Sequence, residues 1–334
     1  MKPKISVVVV NWNNKKLTEQ CIKSLQKQHV DLKIILIDNG SADGSVEYLQ
    51  KQFPNIRLIA QKKNLGFAGG ANVGIKNALK GDANYIALLN NDVVVDKSWL
   101  QSLVNAMEED DSIGAVTGKL LNKKGDRVDN TGDEYSVWGL TIPRDRGIKI
   151  DKLNRDDGKV FGACAGAALY RAEVFKNIGL FDEKFFAYYE DSDLNFRMQL
   201  AGWETKYQPS AVAYHDIGST SKKISGFTTL QTIKNQPMLF WKNVPLGLLP
   251  TMFPKFFLAH SMVILSSIFK GHLFITVKGV LLCFKNTPHY FLERRRIQKR
   301  RKVSNEYIWS VLYQDLPPDA RRLRRFRAFF TGKK

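Results

Sequence analysis

Short β-branched runs alternate with amphipathic helical patterns along residues 4–118, and this alternation constrains the fold most strongly. The runs are apolar on successive residues, which indicates strands that are buried on both faces. Helix-length segments separate them, at 18–28, 45–53, 69–80 and 98–107. The pattern predicts an α/β fold on a mainly parallel sheet with helices on both faces, and its strands are ISVVVV (5–10), KIILID (33–38), IRLIA (56–60), YIALLN (85–90) and IGAVTG (113–118).

Polar residues follow four of these strands at their carboxyl ends, where ligands of open α/β sheets bind. The four clusters span residues 11–13, 38–45, 64–72 and 90–92. They predict the binding edge of the sheet. At Asn90–Asp92 a buried strand ends in two amides and a single carboxylate.

The rest of the sequence falls into segments of different character. Residues 120–159 are charged and contain glycine, which predicts hairpins or a mobile loop over the site. Small residues at 162–168 predict close backbone packing, and 191–200 a helix. We predict a catalytic domain over 1–235 and a helical, basic region over 236–334.

The net charge of +19 is concentrated near the carboxyl end, where residues 285–334 hold 15 basic and 4 acidic residues. The preceding segment 244–284 is apolar, but its longest uncharged piece, Phe256–Phe269, falls short of the ~20 residues that span a bilayer. This combination predicts an interfacial region on an anionic membrane surface. Nucleic-acid binding through RRLRRFRAFF (321–330) is the rival, disfavoured because 244–284 is so apolar. Ordinary packed helices remain a third possibility.

Cysteines and the first residues indicate the compartment. Cys21, Cys164 and Cys283 are far apart and show no metal-binding spacing, so they predict neither a disulfide framework nor a zinc site. The apolar run near the amino end is too short for a signal-peptide core or a membrane span. We expect a cytosolic location for this end of the chain.

Six stretches between Ile5 and about Thr220 together resemble the family 2 glycosyltransferases, and in particular the bacterial rhamnosyltransferase-like branch of this inverting family. They are VVVVNWN, LIDNGSADGS, NLGFAGGANVGI, LLNNDV, GLFDEKFFAYYEDSDLNFRMQLAGW and AYHDIGST. The resemblance implies the Rossmann-like GT-A fold and a dTDP- or UDP-linked sugar donor.

The resemblance also implies which residues contact the donor. Asp38 could accept the N3 hydrogen of uracil or thymine, because an ionised carboxylate offers only acceptors; alternatively it caps the turn before a helix. The glycine run offers main-chain N–H groups and close approach to a nucleotide, or is a plain tight turn. The predicted nucleotide-sugar-binding residues are Asn11, Asp38, Asn64, Gly66, Gly69, Gly70, Asn91 and Asp92.

Asp92 is the predicted ligand of a divalent cation, Mn²⁺ or Mg²⁺, which would stabilise the negative charge of the diphosphate. Relatives often have two acids in this motif, whereas this chain has Asn90, Asn91 and Asp92. The resemblance offers His215 as a second ligand, which would suit Mn²⁺ somewhat better than Mg²⁺. A structural histidine in an apolar strand is the alternative.

Asp191 is the predicted catalytic base. Inversion requires one carboxylate that takes the acceptor hydroxyl's proton, and crowding with Glu190 and Asp193 would raise one pKa of this group. The alternative is a helix N-cap at Asp191 or Ser192. Glu190 and Trp203 are predicted on the acceptor side, with core packing as the alternative for Trp203.

The sequence thus predicts an inverting glycosyltransferase, with L-rhamnose from dTDP-rhamnose as the expected donor sugar. A polyprenyl-diphosphate-linked glycan is the expected acceptor. The expected location is peripheral, on the cytoplasmic side of the bacterial plasma membrane, with no nucleic-acid partner. Two other hypotheses are a nucleotidyltransferase and a non-enzymatic scaffold that binds membrane or nucleic acid. The first needs a basic phosphate clamp, for which the chain offers only Lys15 and Lys16 near the first strand.

Overall fold

The computed structural model describes residues 3–216, 224–318, 320 and 324. Its strands are β1 Ile5–Asn11, β2 Lys33–Asp38, β3 Arg57–Ala60, β4 Tyr85–Asn90, β5 Val93–Val95, β6 Ile113–Asn122, β7 Val128–Asn130, β8 Asp133–Tyr135, β9 Thr141–Pro143, β10 Gly158–Val160, β11 Ala167–Arg171 and β12 Glu204–His215. Its helices are α1 Lys15–Leu25, α2 Ser45–Gln52, α3 Gly66–Lys80, α4 Trp99–Met107, α5 Ala172–Ile178, α6 Glu190–Leu200, α7 Phe227–Asn243, α8 Leu249–Phe269, α9 Leu273–Lys299 and α10 Asn305–Val311.

Ten of these strands form one mixed sheet in the order β10-β12-β6-β11-β4-β1-β2-β3, with β5 beside β12 and β7 beside β6. The neighbours β4, β1, β2 and β3 are parallel, as predicted. β12 is also parallel to β6, whereas β11 runs antiparallel between β4 and β6, so the sheet is mixed around its predicted parallel part. β11 has this direction because hairpins and one short 3-10 turn, rather than an α-helix, connect it to β6, and it therefore starts at the edge where β6 ends.

The strand register brings the predicted polar clusters together. Asn11 pairs with Asp38 and Val10 pairs with Asn90 across the parallel strands. The carboxyl ends of β1, β2 and β4 therefore meet at one edge of the sheet.

Both faces of the sheet are buried. Val7 and Val9 of β1 pack in the cluster that includes α1 and α4, while Val8 packs on the opposite face with α3. Successive side chains of a strand point to opposite faces, so the continuous apolar runs follow from burial on both sides.

The segment between β6 and β11 forms hairpins, as predicted for 120–159. β8 and β9 pair with each other, β7 pairs with β6, and β10 extends the sheet beside β12. Leu120 and Leu121 of β6 pair with both β7 and the last residues of β12, so β7 lies beside the end of the strand that carries His215.

The carboxyl-terminal helices pack onto the sheet layer through a shared hydrophobic cluster. Tyr135 and Phe196 belong to the same cluster as Phe240 and Phe256, whose rings stack 4.2 Å apart. The predicted domain boundary at 235 falls inside α7. The basic run 321–330 lies outside the described residues except for Arg324.

The apolar region forms longer helices than the sequence predicted. Within the described chain, one helical segment, Leu246–Phe269, is long and apolar enough to cross a membrane by length and composition. The expected uncharged piece of 14 residues is extended because Pro254 and Lys255 lie within α8 without ending it. Lys255 extends over the ring of Trp309, 5.7 Å from its centroid.

A buried ion-pair network joins α7 to the sheet layer. The Nζ of Lys242 lies 2.6 Å from Asp182 and 3.0 Å from Asp193, and the lysine side chain is 2% exposed. Asp193 also pairs with Arg197 at 2.9 Å. Burial alone would raise the pKa of Asp182, but Lys242 and His289 lower this pKa to about 2.

Removing the cation of this network should destabilise the fold. Lys242→Met leaves two buried carboxylates without a shared partner, so we expect the free energy of unfolding to fall by about 3–5 kcal/mol. Lys159→Met is the matched control, because Lys159 is 75% exposed where it pairs with Glu204, and it should cost less than about 1 kcal/mol. Denaturant unfolding measures both; equal losses would contradict the account.

Candidate active site

Asn11 is the centre of a buried hydrogen-bond network at the carboxyl edge. Its Nδ2 donates to Asp38 at 2.8 Å, and its Oδ1 accepts from Thr18 Oγ at 2.8 Å and from Asn91 Nδ2 at 3.2 Å. Asn91 Nδ2 also donates to Thr18 at 3.0 Å. Asn11 and Asn91, which were predicted to bind the nucleotide sugar, thus form hydrogen bonds within the protein. These bonds fix the ends of β1, β2 and β4 relative to one another.

Asp38 lies fully buried at the end of β2. Besides the bond from Asn11, its Oδ1 accepts from the Ser41 N–H at 2.9 Å. This is the turn cap that the sequence left as the alternative to base recognition. One acceptor site remains on each oxygen, so both roles are chemically compatible.

The glycine run packs the start of α3 against the site. Asn64 Oδ1 accepts from the Gly66 N–H at 2.8 Å, and a Cβ at Gly66, whose φ is +73°, would lie 2.2 Å from the Phe186 carbonyl oxygen. A Cβ at Gly70 would lie 2.9 Å from Val10, and one at Gly69 would lie 2.7 Å from a side-chain atom of the preceding turn. Close packing therefore requires these glycines even without a nucleotide.

Asp92 and His215 meet at the turn after β4. The distance from Asp92 Oδ1 to His215 Nε2 is 3.3 Å, and the side chains are 10% and 16% exposed. The other ring nitrogen, Nδ1, lies 2.7 Å from Asp129 Oδ2. Because a carboxylate only accepts, a hydrogen on Nδ1 is donated to Asp129 and a hydrogen on Nε2 is donated to Asp92. A cation bound to Nε2 would take the place of that second hydrogen.

These residues fit a divalent cation. Two neighbouring ligands of an octahedral ion lie ~3 Å apart, given bonds of about 2.1 Å, which matches the Asp92–His215 distance. Burial opposes charging of His215, but hydrogen bonds with Asp129 and Asp92 raise its pKa to about 9. Among the described residues no group of three or more Asp, Glu, His or Cys could hold a metal. The protein therefore offers two ligands, and a bound ion needs others from its substrate or water.

Asp191 lies half-buried in the first turn of α6. Its Oδ1 accepts from the Ser192 N–H at 2.8 Å. Burial raises the pKa of Asp191, whereas the main-chain N–H groups of Ser192 and Ala165 act in the opposite direction. Ala165 adjoins Gly166, whose carbonyl accepts from the Asn90 N–H at 2.9 Å. A continuous stretch of main chain thus joins Asp191 to the strand that ends before Asp92.

The acids around Asp191 differ in their environments. Glu190 is 6% exposed, and burial followed by the charge of Asp191 raises its pKa to about 8. The same two causes raise the pKa of Asp133 to about 8. Asp193 is buried in the Lys242 and Arg197 network, and its pKa is lowered. Asp191 is therefore the partly exposed carboxylate of this group, and its main-chain N–H partners favour its ionised form.

The loop before Asp191 is strained and is held by α7. Phe186, Tyr188 and Tyr189 have φ values of 66°, 66° and 73°, which costs non-glycine residues about 1–3 kcal/mol each. Asn235 Nδ2 donates to the carbonyls of Phe185, Ala187 and Tyr188 at 3.0, 3.1 and 2.8 Å. One buried amide thus fixes the loop that places Asp191.

Trp203 is not brought to this site. It follows the carboxyl end of α6, whereas Asp191 lies at the amino end, and it packs against the core cluster of Val174 and Met198. Its predicted acceptor-side contact is therefore replaced by the core packing that the sequence left as the alternative.

Sequence reasoning missed Asp129, Asp133 and Asn235. The first two lie in the charged segment 120–159, where neither periodicity nor motif distinguishes them from surface acids. Asn235 lies within α7, and no local pattern indicated that it contacts a distant loop. The stretch 217–220 of the AYHDIGST motif lies outside the described residues.

The mixed sheet with polar groups at its carboxyl edge defines an α/β fold with a candidate active site at that edge, and comparison with known families identifies its class. The family model described as "Glycosyl transferase family 2" matches residues 6–179. The chain belongs to this family and is a glycosyltransferase.

Relatives and solved structures extend the comparison. An N-acetylglucosaminyl-diphospho-decaprenol L-rhamnosyltransferase of Mycobacterium tuberculosis is 28% identical over 242 residues, which cover 65% of this chain and 78% of the relative. GalNAc-T7 with UDP, GalNAc and Mn²⁺ superposes with a TM-score of 0.55 at 15% identity, covering 72% of this chain and 48% of that one. A Pyrobaculum calidifontis mannosyltransferase with GDP-Man and Mn²⁺ has a TM-score of 0.53 at 13% identity, covering 93% and 86%. These two likenesses show the GT-A fold.

Releasing the strained loop should be measurable without any substrate. Asn235→Ala removes one donor from three carbonyls, so we expect a loss of about 1–3 kcal/mol in the free energy of unfolding. Amide hydrogen exchange at 186–190 should also accelerate.

Asn77→Ala is the control for this test, since Asn77 Nδ2 donates only to the Val73 carbonyl within α3. It should cost less than about 0.5 kcal/mol. Unchanged exchange at 186–190 in Asn235→Ala would show that the amide does not hold the loop.

Proposed function

We propose that this protein is a metal-dependent, inverting glycosyltransferase that acts on a lipid-linked glycan in cell-envelope polysaccharide biosynthesis. The observation that carries this proposal is the arrangement at the carboxyl edge. A partly exposed carboxylate, Asp191, bonds to the Ala165 main chain. A carboxylate–imidazole pair, Asp92 and His215, lies at the turn after β4, whose last residue bonds to the Gly166 carbonyl. The first suits an acceptor hydroxyl, and the second suits a cation on a diphosphate.

Asp191 takes the proton of the attacking hydroxyl. The Ser192 N–H fixes its orientation, and the main-chain N–H groups of Ser192 and Ala165 favour its ionised form against the effect of burial. A positioned carboxylate contributes typically 10²–10⁴-fold to such a step. A single base on the acceptor side accounts for inversion, because the hydroxyl displaces the leaving group directly.

Asp92 and His215 would hold Mn²⁺ or Mg²⁺. When bound, the cation neutralises charge that grows on the diphosphate as the sugar leaves. Asp129 fixes the imidazole so that Nε2 faces the ion, as partners of metal-binding histidines do. The Mn²⁺ in both superposed structures supports a divalent metal for this chain.

The relatives support the proposed donor and acceptor. The mycobacterial relative is named as a rhamnosyltransferase that acts on a decaprenol diphosphate carrying N-acetylglucosamine. We propose dTDP-rhamnose as donor and a polyprenyl-diphosphate-linked glycan as acceptor. Asp38 is the candidate for contact with the base, through the acceptor sites that the protein leaves on its carboxylate.

The surface of α8 and α9 supports attachment to the cytoplasmic face of the plasma membrane. Along α9 an apolar stripe recurs every three, four or seven residues, which is one helix face. Exposed on it are Phe274 (89%), Val277 (49%), Leu281 (64%), Phe284 (70%) and Phe291 (47%).

Helix α8 adds to this apolar surface. On α8, Phe257 is 63% exposed and Phe269 is 86% exposed. Lys270, which follows α8, and Lys278 and Lys285 of α9 are exposed next to these apolar residues. An apolar face edged by lysines fits the interface of an anionic membrane.

The base assignment can be tested with a matched pair of variants. Asp191→Asn should lower the rate of nucleoside diphosphate release in the presence of acceptor by about 10²–10⁴-fold. Glu190→Gln should retain most activity, because Glu190 is already neutral near pH 7 with its pKa of about 8. Full activity of Asp191→Asn would overturn the assignment.

The metal assignment predicts a role for Asp129. Asp129→Asn removes the carboxylate behind His215, so we expect Mn²⁺ affinity to fall by about 10–100-fold. Electron paramagnetic resonance of free Mn²⁺, with nucleoside diphosphate present, measures this affinity. Asp126→Asn is the control, since Asp126 is exposed and bonds to Asn122. Equal affinities of the two variants would contradict the role of Asp129.

A further inference from the structure

A basic cavity of about 550 Å³ opens between the carboxyl half of α9 and the turn that joins α7 to α8. Three arginines line it, Arg294, Arg295 and Arg301, and none of the described residues around it is acidic. Leu246 and Phe291, which are 75% and 47% exposed, form its apolar part. Guanidinium groups next to exposed apolar side chains suit an anionic amphiphile.

Two of the arginines are held in place. Arg294 Nη1 donates to the carbonyls of Trp241 and Val244, both at 2.7 Å, at the carboxyl end of α7. Arg301 Nη1 donates to Asn305 Oδ1 at 2.6 Å. Ligand binding therefore has to order little more than Arg295, which lowers its entropic cost.

The cavity lies between the exposed apolar surface of α8 and α9 and a chain of hydrogen bonds that leads to α6. Phe291 is both part of its wall and the last member of the α9 stripe. On the other side, Gln298 Nε2 donates to the Asn243 carbonyl at 2.8 Å, and Asn243 Nδ2 donates to Asp193 at 2.8 Å. Asp193 belongs to α6, the helix that begins with Glu190 and Asp191.

We infer that this cavity binds the phosphate group of a membrane lipid. Arginine recognises phosphate oxygens through paired, charge-assisted hydrogen bonds, and Leu246 and Phe291 lie where the lipid chain would leave the head group. The inference rests on the membrane attachment in the proposed function. The phosphate could belong to an anionic phospholipid or to the diphosphate of the lipid-linked acceptor. A nucleic acid would not account for the exposed leucine and phenylalanine.

The test uses the full chain and two double variants with equal charge loss. Arg295→Gln with Arg301→Gln changes the cavity, whereas Arg296→Gln with Arg300→Gln removes two arginines of the same helical region that do not line it. Binding of geranyl diphosphate is measured by calorimetry in chelator, so that a metal-dependent donor site does not contribute. We expect the cavity variant to bind at least about tenfold more weakly and the control to stay within about twofold. Equal weakening, or none in the cavity variant, would overturn the inference.

Vesicles identify the source of the phosphate. Flotation compares phosphatidylcholine vesicles doped with phosphatidylglycerol or with a polyprenyl diphosphate. Loss of attachment by the cavity variant alone, with both dopants, supports a general phospholipid site. A loss confined to polyprenyl diphosphate supports an acceptor site. Tighter, equally arginine-dependent binding of an oligonucleotide would contradict a lipid ligand.

Two measurements keep failures distinguishable. Both double variants should hydrolyse the nucleotide sugar at the wild-type rate and unfold at the wild-type temperature, because the cavity takes no part in donor chemistry. If the wild-type protein hydrolyses the nucleotide sugar but the cavity substitutions leave geranyl diphosphate binding unchanged, this inference fails and the proposed function stands. If no nucleotide sugar is hydrolysed, the proposed function fails first.

Discussion

The parallel pairing of β1 with β2 and β4, completed by the buried amide of Asn11, is the constraint on which the site depends. Asn11 bonds at once to Asp38, Thr18 and Asn91. Buried polar groups are costly unless paired, so this network is satisfied only when three strand ends and α1 are in register. The position of Asp92, one residue after Asn91, follows from that register.

This explains why the strand ends in two amides and one carboxylate. Asn91 serves the protein, since both of its donated hydrogen bonds go to Asn11 and Thr18. Of the three residues Asn90, Asn91 and Asp92, it is Asp92 that contacts His215. Asp129, from a separate segment, contacts the other ring nitrogen and orients the imidazole. Where relatives often carry a second acid in this motif, this chain places a histidine of β12 beside Asp92 and a carboxylate of β7 behind that histidine.

Much of the sheet could be predicted from sequence because burial on both faces leaves a plain signal. The strands 33–38 and 85–90 match their predicted bounds, since β-branched runs end there at polar residues. The direction of β11 was not predictable, because it depends on where the hairpin segment returns the chain. Asp129 and Asp133 were missed for a related reason. Asp129 contacts His215 and Asp133 lies near Asp191, and both partners are far away in the sequence, so local composition does not indicate them.

The same contrast applies to the glycines and to the carboxyl-terminal helices. Gly66 was predicted to contact the nucleotide; a Cβ there would lie 2.2 Å from the Phe186 carbonyl oxygen, so the packing of α3 against the loop before Asp191 also requires a glycine. The uncharged apolar piece was expected to begin at Phe256, yet α8 begins at Leu249 and continues through Pro254 and Lys255, with Phe256 stacked on Phe240 of α7. The helices α7 and α8 share a hydrophobic cluster with Tyr135 and Phe196, and α8 and α9 carry the exposed apolar surface.

The central claim is that this edge transfers a sugar from a nucleoside diphosphate with the help of a divalent cation. Its most direct test is product analysis across a panel of nucleotide sugars, with Mn²⁺, with Mg²⁺ and with excess chelator. The account predicts release of a nucleoside diphosphate, strongest with one donor and lost in chelator. Release of inorganic diphosphate, or undiminished activity in chelator, would contradict it.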